Sequence, residues 1–145
     1  MTIQPTMNSY EILDHTADIF IKAKGSTLAE AFEHAAVGMF DQIYQTSDVE
    51  PIGEFQVDLQ NEDIEQLLVE WLSELLFIYE TQKVVFSKFK VNLDQDKNTL
   101  ISQAYGESFD PEKHVITNEI KAVTYHMLEI GQESDMYFVK VLLDI

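Results

Sequence analysis

Two stretches of the chain repeat apolar residues every three or four positions, and around them apolar and polar residues alternate singly. Leu28, Ala31, Phe32, Ala35, Ala36, Met39, Phe40 and Ile43 form the first stripe; Ile64, Leu67, Leu68, Trp71, Leu72, Leu75 and Leu76 form the second. Each spacing gathers its residues on one face of a helix, the first running for about 17 residues. Between them, Phe55, Val57 and Leu59 alternate with Glu54, Gln56 and Asp58, the period of a half-buried strand. Strands therefore precede, separate and follow the helices. The expected class is α+β: a two-layer domain with two amphipathic helices packed on one face of a largely antiparallel or mixed sheet.

Local signals place the ends. Thr27 with Glu30 reads as a capping box, and Asn61-Glu62-Asp63 supplies acids for the positive end of the second helix. Tyr10 to Leu13 and Ile19 to Lys24 read as short strands. Val84 to Leu93 and Thr99 to Tyr105 read as a hairpin about Asp94-Gln95-Asp96-Lys97-Asn98. That turn lacks the glycine and closing glutamate of a calcium loop, so it is a plain connection. Gly106 to Asn118 is polar with a turn at Asp110-Pro111. Glu119 to Gly131 is expected as a strand showing Lys121, Val123, Tyr125 and Met127 on one side and Ile120, Ala122, Thr124 and His126 on the other. Met136 to Leu143 is the last strand. Trp71 belongs to the core; His34 and the glutamates of the second helix belong to the solvated surface. Residues 1–9, with Pro5, form a loose tail, and 10–145 form one domain.

Charge narrows the function. Against 26 acidic residues stand 9 basic ones, a net charge of −17. Such a surface repels phosphates and anionic lipids, so direct nucleic-acid or membrane binding is not expected. It suits cations or a basic protein surface. The chain has no cysteine, which removes disulfides, thiolate metal sites and cysteine nucleophiles. No signal-peptide pattern and no apolar run of the roughly 18 residues needed to span a bilayer is present, so a cytoplasmic setting is expected.

The connection between the first two strands is unusual. Leu13-Asp14-His15-Thr16-Ala17-Asp18 places two carboxylates, an imidazole and a hydroxyl where a tight turn would favour Gly or Asn. These groups either bond the local backbone as turn residues do, or serve as donors to a hard cation or a proton relay. The chain end, Asp144-Ile145, offers a side-chain carboxylate next to a main-chain one.

Several segments resemble the archease family over nearly the whole chain, from Tyr10 to Ile145. They are Tyr10 to Asp18, Ser26 to Phe32, Val49-Glu50-Pro51, Leu67 to Leu72, Gly106-Glu107 followed by Pro111 to His114, Glu119 to His126, and Leu143-Asp144-Ile145. The first and the last two are the specific ones. Phe20 departs from the glycine frequent there in the family.

The resemblance implies a small non-enzymatic cofactor of the RtcB-type RNA ligase, which joins RNA ends in tRNA splicing and repair using GTP and Mn²⁺. Archease-like proteins promote guanylylation of the ligase and its multiple turnover. The resemblance also implies a bound divalent cation, most often calcium, with ligands on Asp18, the Asp144 side chain and the Ile145 terminal carboxylate. Asp14, His15, Lys121 and His126 are then neighbours of the metal or contacts for the partner. A rival class is a metal-dependent phosphoesterase-like hydrolase built on the same Asp and His residues; a general chaperone-like binder is a third.

Overall fold

The computed structural model describes residues 9–13 and 18–145. The expected tail falls almost wholly on residues 1–8, outside the described residues. The elements are β1 (Tyr10–Leu13), β2 (Ile19–Gly25), α1 (Leu28–Asp41), β3 (Gly53–Gln60), α2 (Ile64–Gln82), β4 (Val84–Asp94), β5 (Thr99–Ser108), β6 (Ala122–Glu133) and β7 (Met136–Asp144), with one 3-10 turn at Thr46–Asp48.

The class is α+β with two helices on antiparallel sheet, as the patterning predicts. The strands are nevertheless divided between two sheets, ordered β1-β2-β7-β6 and β3-β5-β4, where a single sheet was expected. All pairings are antiparallel. The reason lies in α1. Its buried residues Ala31, Phe32, Ala35, Ala36, Gly38, Met39 and Phe40 cover an arc of roughly 200° at 100° per residue. One sheet covers less than that. The helix instead lies against β2 and β7 of one sheet and β4 of the other, and α2 likewise touches β6, β3 and β4.

Thr27 Oγ1 accepts the Glu30 N–H at 3.1 Å, while the Glu30 carboxylate accepts the Ser26 N–H at 2.7 Å, one residue earlier than the usual reciprocal bond. The helix ends at Asp41, short of Ile43, but Ile43 and Tyr44 remain buried in the irregular turn that follows. Asp63 caps α2 by accepting from Glu65 and Gln66, and Lys83 ends it with φ 54°. At Gly38 an added Cβ would lie 2.9 Å from the Tyr10 ring, so glycine lets β1 seat its tyrosine on the helix.

The core is aromatic. Phe40 meets Tyr44, Tyr79, Phe86 and Phe89, and Trp71 meets Phe32 and Phe89. Burying each such ring contributes about 2–3 kcal/mol. Their polar atoms are satisfied: Trp71 Nε1 donates to Ser102 Oγ at 2.8 Å, Ser102 donates to the Val57 carbonyl at 2.9 Å, and Tyr44 donates to the Phe86 carbonyl at 2.9 Å. His34, expected on the surface, is half-buried with Nδ1 donating to the Lys24 carbonyl.

Candidate functional site: a carboxylate-bearing sheet end

In β2 and β7, Ile19 opposes Leu143 and Phe20 opposes Leu142. Asp18 immediately precedes Ile19, and Asp144 immediately follows Leu143. Extending that register by one residue would set the two aspartates opposite each other; Asp18 itself is a bend residue just outside the ladder. On that extension both would share the face that carries Phe20 and Leu142. Directly opposed Cα atoms in an antiparallel pair lie roughly 4.5–5.5 Å apart, within the span of two carboxylates sharing a cation. β6 begins at the same end: Ala122 opposes Asp144, and the Lys121 N–H donates to the Asp144 carbonyl at 2.7 Å.

That bond occupies the Asp144 main chain and leaves its side chain exposed. Among the described residues, neither Asp18 nor Asp144 has a side-chain hydrogen bond or ion pair, and Lys121 has no ion pair. Two facing carboxylates without a countercharge repel one another, and a divalent cation relieves that repulsion while using oxygen donors it prefers. The donor chemistry therefore fits a hard cation. Two aspartate side chains are too few on their own, and among the described residues no three His, Asp or Glu side chains form a metal group. Ile145, which follows Asp144, is 40% exposed.

The remaining expected residues are distributed differently. Asp14 and His15 lie outside the described residues. His126 is exposed, and its N–H donates to Thr124 Oγ1 at 3.3 Å. The even alternation expected from Glu119 to Gly131 does not occur. Pairing starts at Ala122, and between Thr124 and Glu129 the strand bulges, with Met127 at φ 60°. The reason is the register: Thr124 opposes Leu142 and Glu129 opposes Lys140, so four residues of β6 face one of β7.

A second charged group was not predicted from sequence. The polar stretch after β5 folds back and buries His114, whose side chain is 1% exposed. His114 Nδ1 accepts the Asp110 N–H at 2.9 Å, so its proton sits on Nε2, which donates to Glu107 at 2.9 Å. Lys113 reaches Glu107 at 2.9 Å and Glu50 at 3.3 Å, and the Glu50 N–H also donates to Glu107 at 3.0 Å. These contacts, Lys113 foremost, lower the Glu107 pKa to about 2. The legible signal was Asp110-Pro111: a turn there returns residue 114 onto residue 107. Farther along, the Thr117 N–H donates to the Ile43 carbonyl at 2.7 Å and fastens the segment to the end of α1.

Comparison with known proteins bears on the same elements. A model of the Archease protein family matches residues 10–145. Protein archease of Sulfurisphaera tokodaii is 42% identical over 139 residues, covering 96% of this chain and 100% of that protein. Protein archease of Pyrococcus furiosus is 43% identical over 131 residues, covering 89% of this chain and 92% of that one. The solution structure of Methanobacterium thermoautotrophicum Protein 1598 superposes with a TM-score of 0.85 at 42% identity, covering 96% of this chain and all of that one. The crystal structure of an archease, possible chaperone, from Thermotoga maritima superposes with a TM-score of 0.61 at 18% identity, covering 100% of this chain and 98% of that one, and shows the shared fold.

Proposed function

The chain belongs to the archease family, and from that premise we propose that it is a protein cofactor, rather than an enzyme, for an RtcB-type RNA ligase in tRNA splicing and RNA repair. In this reading it promotes guanylylation of the ligase and its repeated turnover. A divalent cation, Ca²⁺ by preference, is held by Asp18, Asp144 and the Ile145 carboxylate. The observation that carries the reading is the β2–β7 register, whose last rung, Ile19 with Leu143, brings Asp18 and Asp144 to the same end of the sheet. Charge supports it: a net −17 chain with 9 lysines as its basic residues meets a basic RNA-handling surface favourably and RNA itself unfavourably.

When bound, the cation supplies a fixed positive centre at an otherwise repulsive sheet end. The chain's own residues do the rest. The Lys121 N–H fixes the Asp144 main chain at this sheet end. The Lys121 ammonium, free of ion pairs among the described residues, remains available to a carboxylate or phosphate on the partner. A cytoplasmic setting accords with this partner, and none of the described helices is long and apolar enough to cross a membrane.

The test is guanylylation of a cognate ligase with sub-stoichiometric protein, under conditions where the ligase alone is slow. Acceleration is expected with native protein. A chain extended beyond Ile145 should lose bound Ca²⁺ and acceleration together. No acceleration by native protein would refute the reading.

A further inference from the structure

We propose that the β6 bulge, Tyr125 to Leu128, is a second contact element that engages the same basic protein partner as the two aspartates; the inference rests on the functional reading above. A typical bulge adds one residue to a strand. This one adds three, since Tyr125, His126, Met127 and Leu128 together face Val141. On both sides of it β6 pairs regularly with β7.

Met127 sits at φ 60°, a left-handed conformation uncommon for a residue other than glycine. Of the four residues, only Leu128 packs against the core. Tyr125 is 55% and Met127 50% exposed, and His126 is exposed as well. Strain retained at an exposed aromatic–thioether pair is the pattern of a contact surface. Tyrosine and methionine are enriched where protein interfaces form, and methionine adapts its shape to a partner.

Position and charge name the occupant. Thr124, at the root of the bulge, shares a rung with Phe20 and Leu142; Asp144 lies two residues on along β7, and Asp18 two residues before Phe20. A body resting on the bulge therefore also comes near the Asp18 and Asp144 carboxylates, which have no side-chain partner among the described residues. That selects a basic protein surface with an apolar recess for Tyr125. It disfavours RNA, whose phosphates the carboxylates repel.

The test titrates a cognate RtcB-type ligase against native protein, Tyr125→Ala, Met127→Gly and Asp144→Asn at fixed salt, with Ca²⁺ binding and thermal midpoint measured in parallel. Tyr125→Ala is expected to weaken ligase binding about tenfold or more, as interface anchors do, with Ca²⁺ affinity unchanged. Met127→Gly relieves the backbone and removes the side chain. Its thermal midpoint should match or exceed native while its affinity for the ligase falls, a combination that a purely structural bulge does not produce. If native protein binds and activates the ligase and both bulge variants do so equally well, the bulge inference is overturned and the functional reading stands. If native protein neither binds nor activates, both are overturned. Loss of binding to single-stranded RNA, in place of the ligase, also overturns the inference.

Discussion

Two parts of this molecule gather carboxylates, and they treat them in opposite ways. Around Glu107 the chain supplies its own cations and donors. Lys113, His114 and the Glu50 N–H converge on one carboxylate, and the group ties the segment after β5 to the loop before β3. At the end of the first sheet, Asp18 and Asp144 flank the last β2–β7 rung with no such partners among the described residues. With 26 acids and 9 lysines most carboxylates must go unpaired, so lack of a partner alone means little. Convergence is what separates the two. A compensated cluster holds the fold together; carboxylates without a countercharge repel, and a cation or a basic surface would relieve that repulsion.

The largest expected effect breaks the compensated side from beneath. An added Cβ at Gly106 would lie 1.8 Å from the Val85 carbonyl oxygen. Gly106→Ala should therefore cost about 3 kcal/mol or more in urea denaturation, because β4 must move to admit it. Glu107→Ala comes next. It strands the buried Nε2–H of His114 and should cost about 2 kcal/mol. Asp144→Ala, measured without divalent cations, should stay within about 0.5 kcal/mol of native. Equal losses in these two variants would erase the distinction drawn here.

Cation binding sharpens it from the other side. Asp18→Asn and Asp144→Asn should each weaken Ca²⁺ affinity by about tenfold or more in calorimetric titration, while Glu107→Ala leaves it unchanged. Acid gives a smaller, graded effect. The Glu107 pKa is lowered from 4.5 to about 2 in the folded chain, so its contribution is complete above 4.5 and is lost as pH falls towards 2. The stability gap between native and Glu107→Ala should narrow through that window; a gap that widens on acidification would contradict the assigned partners. The smallest effect on stability belongs to Lys121→Ala, within about 0.5 kcal/mol because its structural bond is made by the backbone. Its loss should appear in ligase activation alone.

How much of this was legible differs by element. The helix stripes, the Thr27 and Asp63 caps, the Asp94–Asn98 turn and the burial of Trp71 follow from local periodicity and short-range hydrogen bonding, which act over a few residues. The division into two sheets was not legible. It depends on α1 burying too wide an arc for one sheet, and the apolar stripe written as a list understates that arc by omitting Gly38. The bulge was hidden because an unbroken β pattern from Glu119 to Gly131 carries no glycine at the point where the register slips. The Glu107–His114 pair looked like a polar loop because its partners are brought together by a turn and by Glu50, 57 residues away.

By itself, the order of residues determined the class of the protein, its acidic character, its two helices and the residue types available for a cation. Those properties depend on composition and on contacts between near neighbours. The tertiary structure decided which carboxylates are neutralised and which face one another, and where a strand departs from its ladder. Electrostatic compensation is a matter of distance in space, and strand register between chain segments more than a hundred residues apart sets that distance.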